Sequence, residues 1–264
     1  MNNSKKKYKL GLVLSGGAAH GFAHIGVLKA LQEADIRPDV ISGASAGAIV
    51  GAFYASGHNP EEILEIFSNT KLINFVSPSL NGASFMEAKG LRKVFEKKLK
   101  ASKFEELSIP MYVGATNFNR GEARYFHEGI LVDKLLASAS IPVLFPPVEI
   151  EGDFYLDGGI VDNLPFKPLE GKCRYTIGVH VNPTGEVEQA DSIKAIAERT
   201  FHLVVSADIH LQKHLFSLFI EPKDLAKYGI MQVSQGKKMY EIGYEEAKKV
   251  LDQEKDIVKT FKEE

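Results

Sequence analysis

One cysteine, Cys173, in a chain of 264 residues excludes an intramolecular disulfide and fits a reducing compartment, so the expected location is cytoplasmic. No stretch approaches the roughly 18 consecutive apolar residues of a membrane-spanning helix. The basic start, MNNSKKKYKLGLVLSGG, carries an apolar run that breaks at Gly16, too short for a secretory signal and without a small-residue cleavage site. Charge of one sign is missing as well. The formal net charge is −2, and no stripe of arginines interleaved with aromatics marks a nucleic-acid surface, so nucleic acid is excluded as an expected partner. Repeats and low-complexity tracts are absent. What is present is ordinary globular composition, 44% hydrophobic and 25% charged, which excludes general disorder.

The apolar residues fall into alternating strand and helix patterns. YKLGLVLS (8–15) is a β-prone run that leads into a glycine pair, and FAHIGVLKALQEAD (22–35) repeats Phe22, Ile25, Leu28 and Leu31 at helical spacing. DVIS (39–42) reads as a second strand, followed by a small-residue helix, SAGAIVGAFYASG, stopped by Gly57. Two successive strand–helix units predict a parallel sheet with helices on its faces. NPEEILEIFSNT predicts a further helix with Asn59 as N-cap and Pro60 at its first position. LRKVFEKKLK is a basic amphipathic helix, and ILVDKLLASAS is helical. MYVGATNFNRGEARYFHE and IPVLFPPVEIEGDFYLDGG predict hairpins that turn at Gly121 and at Glu151-Gly152-Asp153. CRYTIGVHV (173–181) is one more core strand. From about Val187 the texture changes to charged helix interrupted by a strand-like LFSLFIEP. The expected division is a core over 8–185 and a mainly helical part, 186–264, packed on that core rather than folding independently.

Three loops carry residues suited to chemistry. Gly43-Ala44-Ser45-Ala46-Gly47 matches the G-x-S-x-G elbow, in which a strained serine projects from a strand-to-helix turn. The helix N-terminus adds a positive dipole end and the Ala46 N–H, both suited to an oxyanion. A plain tight turn is the alternative. A serine nucleophile needs a base. His180, His202, His210 and His214 lie downstream in the order of a Ser-acid-His triad, whereas Asp157, where a strand meets Gly158-Gly159, would face the crevice at a strand end. Asp162 is the nearest rival to Asp157 and reads as a cap or turn residue. The first loop, Ser15 to Gly21, is either a dinucleotide fingerprint broken by Ala18 or the second half of an oxyanion hole, with donors on Gly17 and Ala18.

Taken together, the loop Gly16 to Gly21, the elbow Gly43 to Gly47 and Asp157-Gly158-Gly159 resemble the patatin-like phospholipase family in its bacterial form. The resemblance extends through AHIGVLKAL, ASASIPVLFPPV and DGGIVDNLP, over most of residues 8–182. It implies a three-layer α/β/α sandwich with a mostly parallel central sheet and a lipid acyl hydrolase of phospholipase A or lysophospholipase type. The implied machinery is a Ser-Asp dyad, with Ser45 as nucleophile and Asp157 as base, no histidine in the dyad, and no metal or cofactor. Gly16, Gly17 and Ala18 then form the oxyanion loop. The family pattern has a third glycine and a basic residue where this chain has Ala18 and His20, which removes a fixed positive charge because an imidazole can be neutral at pH 7.

The expected partner is a lipid or other acyl-ester substrate. Residues 71–90, with Leu72, Ile73, Phe75, Val76, Leu80, Phe85 and Met86 among turn formers, read either as a mobile lid or as ordinary helix packing. The basic helix permits transient contact with an anionic membrane surface. The rival function is a non-hydrolytic lipid-binding or regulatory protein on the same fold, its chemistry weakened by the altered first loop.

Overall fold

In the computed structural model, which describes residues 6–69, 84–142, 144–185, 193–207 and 209–263, the two apolar runs nearest the N-terminus form neighbouring parallel strands. These are β1 (Tyr8–Leu14) and β2 (Val40–Ala44). Side chains of β1 alternate between two cores: Leu10, Leu12 and Leu14 enter the larger one and Val13 the smaller one on the opposite face. Helix α1 (Gly21–Glu33) crosses from β1 to β2, and α2 (Ser45–Ala55) follows β2 directly. Gly57, at φ +95°, turns the chain after α2. Helix α3 (Pro60–Asn69) opens with a capping box: Glu62 N donates to Asn59 Oδ1 at 2.8 Å and Asn59 N to Glu62 Oε2 at 3.0 Å. The basic run lies in α4 (Ser84–Lys98). Most of the segment that reads either as a lid or as ordinary helix packing, 71–83 and the side chains of 84–89, lies outside the described residues.

Both hairpins form. β3 (Met111–Asn117) pairs antiparallel with β4 (Glu122–Phe126), and after α5 (Leu131–Ser138) β5 (Val148–Ile150) pairs with β6 (Asp153–Asp157). The second turn has φ +54° at Glu151 and +85° at Gly152, the two left-handed residues that suit the twist of a two-residue hairpin. With β7 (Cys173–Val179) and β8 (Leu218–Ile220) the sheet order is β5-β6-β3-β2-β1-β7-β8, with β4 on β3. The pairings from β3 through β2, β1 and β7 to β8 are parallel, and those of β4, β5 and β6 are antiparallel.

β3 joins these two halves. β2 pairs with Met111 to Gly114 and β6 with Ala115 to Asn117, while β4 pairs with Val113 to Asn117. Because β4 shares residues with both, β2 and β6 occupy the same opposite edge of β3, one running up and the other down. Their last residues, Ala44 and Asp157, sit opposite consecutive residues of β3, Gly114 and Ala115.

Two charged stretches near the C-terminus that read as continuous helices are each broken. One gives α6 (Ile193–Ser206) and α7 (Ile209–Gln212), and the other gives α8 (Gly236–Gln253) and α9 (Lys255–Lys262) around Glu254. α8 lies on α1 at backbone contact: a Cβ on Gly243 would fall 2.2 Å from Ala23 O, and one on Gly26 2.1 Å from Tyr240 O. The sheet face bearing Val13 is covered more thinly, by Leu164, Leu169 and Ile209 with Phe166 and Phe216 from short helical turns and loops. The architecture is α/β, a central sheet flanked by helices.

Candidate active site

β2 is extended up to Ala44, and the next residue already begins α2. That change of direction within one peptide puts Ser45 at φ +48°, a left-handed conformation that non-glycine residues hold only when the surrounding structure enforces it. Gly47 makes the turn possible. A Cβ there would lie 2.5 Å from the carbonyl oxygens of Leu14 and Ser15, so only glycine lets the first turn of α2 sit on the end of β1.

Ser45 Oγ donates to Asp157 Oδ2 at 2.6 Å, and Gly159 N donates to the other carboxylate oxygen at 2.8 Å. Asp157 is 1% exposed. Burial pushes its pKa up to about 6, with the bonds from Ser45 and Gly159 pulling the other way. A third residue, Ser138 at the end of α5, locks the elbow: its Oγ accepts from Ser45 N at 2.8 Å and donates to Gly114 O at 2.6 Å. Asp157 N donates to Ser140 O at 2.9 Å, so the same helix end holds both partners. Nothing local in ASAS marks Ser138, because its partner lies 93 residues earlier.

The first loop faces this pair. Ser15 N donates to Val179 O, Gly16 N to Asn163 O, Ala19 N to Ile230 O and His20 N to Gly17 O. The amides between them, on Gly17 and Ala18, donate to nothing among the described residues, and neither does that of Ala46 at the head of α2. Free N–H groups flanked by anchored ones are pre-organised for an oxygen ligand. Gly17 and Ala18 line a small cavity with Ser45 and Asp157. Ala18, Ser45 and Ala46 also line an apolar cavity of about 100 Å³, walled by Phe22, Ile49, Phe67, Ile141 and Phe145 among others.

A family model described as patatin-like phospholipase matches residues 12–170. The chain belongs to that family. An uncharacterized NTE family protein of Mycobacterium bovis is 32% identical over 177 residues, 66% of this chain and 49% of that protein. A protein named lysophospholipase nte1, of Emericella nidulans, is 26% identical over 281 residues, 92% of this chain and 18% of that protein. The chain thus spans about half the length of the one relative and under a fifth of the other. VipD from Legionella pneumophila superposes with a TM-score of 0.54 at 17% identity, covering 94% of this chain and 67% of that one, a likeness of fold.

Within this patatin-like chain, the two departures in the first loop take distinct forms. Ala18 adopts φ +45°, so alanine occupies a left-handed position. His20 is 0% exposed and lines neither cavity: Nδ1 lies 2.8 Å from Val181 O and Nε2 3.0 Å from Tyr228 O. Burial lowers its pKa, against the pull of the two carbonyls. Three of the four downstream histidines are elsewhere. His180 Nδ1 pairs with Glu221 Oε1 at 3.0 Å, His202 Nε2 lies 3.4 Å from Asn182 O, His214 is exposed, and the His210 side chain is outside the described set. Asp162 accepts from Tyr125 OH at 2.5 Å instead of reaching Ser45. Residues past the matched range also complete the site: Asn182 and Ile230 line the small cavity and Val233 the apolar one. Sequence reasoning missed these together with Asn163: Asn182, Ile230 and Val233 sit in no local motif, and within DGGIVDNLP nothing local separates Asn163 from an ordinary turn residue. Among the described residues no cluster of three or more His, Cys, Asp or Glu is placed to hold a metal.

Proposed function

We propose that this patatin-like chain is a lipid acyl hydrolase of phospholipase A or lysophospholipase type, acting through a Ser45–Asp157 dyad and an acyl-enzyme. The observation that carries it is the 2.6 Å bond from Ser45 Oγ to Asp157 Oδ2 at a strained elbow facing free amides. Ionised Asp157 takes the hydroxyl proton as Ser45 Oγ attacks the ester carbonyl, and the tetrahedral oxyanion rests against the N–H groups of Gly17 and Ala18. Ala46 N–H and the N-terminal end of α2 add positive potential. Collapse expels the alcohol, which takes the proton from Asp157, and leaves the acyl group on Ser45. Water then gives a proton to Asp157, attacks the acyl carbonyl, and the acid departs as the proton returns to Ser45.

A carboxylate is a weak base at its ordinary pKa near 4. The buried position of Asp157, with its pKa near 6, supports the role by bringing base strength closer to neutral pH. The apolar cavity beside Ser45 supports an acyl chain as the group held during attack. The name of the Emericella relative, a lysophospholipase, supports a lipid substrate. The same reading takes residues 186–264 as part of one unit with the core, supported by β8 in the sheet and α8 on α1. It also takes the setting as cytoplasmic and the exposed Lys93, Lys97 and Lys98 of α4 as a surface for transient membrane contact. Among the described residues no helix is long and apolar enough to cross a membrane.

The test is labelling by a fluorophosphonate probe and hydrolysis of short acyl esters, compared between wild type and Ser45→Ala. Ser45-dependent labelling and turnover are expected. Their absence in wild type would overturn the reading in favour of a non-hydrolytic lipid-binding protein. Lipidomic comparison of products from the same two proteins identifies head group and position of cleavage.

A further inference from the structure

Asn163 follows the Asp157-Gly158-Gly159 turn, and none of the steps above uses it. Its main-chain oxygen accepts from Gly16 N at 3.1 Å, which docks the turn onto the loop across the crevice. That tie needs no side chain. The carboxamide nevertheless lies wedged between the two segments: a Cβ on Gly16 would fall 2.5 Å from Asn163 Oδ1 and one on Gly159 2.7 Å from it. Asn163 is 6% exposed and lines the small cavity shared by Ser45, Asp157, Gly17 and Ala18.

Asn163 Nδ2 has no hydrogen-bond partner among the described residues. A buried N–H without an acceptor is costly and rare, and on a residue that lines the cavity beside Ser45 it offers a place for a ligand oxygen. The neighbouring carboxamide, Asn182, lines the same cavity but has its donor engaged: Nδ2 donates to Gly16 O at 2.9 Å, and it is its acceptor Oδ1 that is unpartnered among the described residues. The remaining wall of the cavity is apolar, from Ile141, Val205 and Ile230, so an oxygen entering it meets few competing donors.

We propose that Asn163 is a catalytic residue of the hydrolysis, its Nδ2 donating to the substrate oxygen as negative charge develops there. It adds a side-chain donor to the main-chain donors of Gly17 and Ala18, and the inference rests on the hydrolase reading. Asn163 forms and breaks no covalent bond. Its hydrogen bond strengthens as the carbonyl becomes tetrahedral and relaxes on collapse.

The experiment compares wild type, Asn163→Ala and the isosteric Asn163→Asp, using p-nitrophenyl butyrate and an alkyl trifluoromethyl ketone, which adds to a nucleophilic serine as a tetrahedral oxyanion. Thermal melts identify folded variants, and Asn163→Asp serves if the alanine variant does not fold. The expected result is a fall in kcat of about 10²-fold with KM little changed, typical of losing one oxyanion donor. The inhibition constant of the ketone is expected to rise by a similar factor, which a merely structural role would not produce in step with kcat. Variants that turn over within threefold of wild type, or that lose kcat while binding the ketone as before, overturn the inference and leave the hydrolase reading intact. A wild type that neither hydrolyses the ester nor binds the ketone overturns both.

Discussion

Ser45 and Asp157 meet because the strands that end at Ala44 and at Asp157 lie head to head on one edge of β3, with Ala44 opposite Gly114 and Asp157 opposite Ala115. The separation of the pair is therefore set by the sheet rather than by two independent loops. Ser138 and Ser140, at the end of α5, hold the two strand ends from one side. A site built on rigid elements in this way needs little rearrangement before attack.

If Asp157 is the base, kcat/KM for a short ester should rise with pH through about 6 and level off above pH 7, since only the ionised carboxylate accepts the proton. A pH–rate profile from pH 4.5 to 8 checks this. A flat profile across that window would remove Asp157 from the role.

The same burial should cost stability. The folded carboxyl holds its proton more tightly than the unfolded chain, so its contribution is fully present below pH 4 and is lost as pH rises through about 6. A rise from 3.8 to about 6 corresponds to roughly 3 kcal/mol at neutral pH. Asp157→Asn should therefore abolish hydrolysis and melt higher than wild type at pH 7, with the advantage shrinking toward pH 4. Calorimetry at the two pH values measures it.

Ser138→Ala removes the hydroxyl that bridges Ser45 N and Gly114 O and leaves both unpaired in a fully buried place. A loss of about 1–3 kcal/mol in urea unfolding is expected. Turnover should fall as well, because the strained φ of Ser45 loses its tether. Unchanged stability would mean that the bridge is replaced by water.

Ala18→Gly should stabilise the fold by about 1 kcal/mol, because φ +45° strains alanine and suits glycine. Activity should be kept, as the free N–H is unchanged. Urea denaturation beside an ester assay reads both, and a destabilised variant would indicate that the alanine methyl packs favourably enough to outweigh the strain.

His20→Arg restores the basic residue of the family pattern, and the sequence alone favours retained or raised activity. The structure reverses that expectation. His20 fills a closed space between Val181 O and Tyr228 O, and a guanidinium on a longer stem does not fit it. A lower melting temperature and lower turnover are expected. Wild-type values for both would show that the first loop tolerates a shift behind it.

Much was legible in the sequence because it was local. The 3.6-residue repeat of Phe22, Ile25, Leu28 and Leu31, the Asn59–Glu62 capping box, and the glycines at turn positions act within a few residues, so their consequences survive without knowledge of the rest. The elbow around Ser45 was legible for the same reason. The break at Glu254 was not, since Gln253 and Lys255 on either side are good helix-formers and carry no stop signal.

What the sequence by itself determined is the set of elements and the serine at the strand-to-helix turn, together with the likeness that singled out Asp157. Only the tertiary structure decided that Asp157 stands 2.6 Å from Ser45 while His180 and His202 bind elsewhere. It also decided that Ser138, Asn163 and Ile230 belong to the same site. The physical reason is separation along the chain. Ser45 and Asp157 are 112 residues apart, and their contact depends on which edge of β3 each strand takes, a choice made by long-range pairing that no short motif encodes.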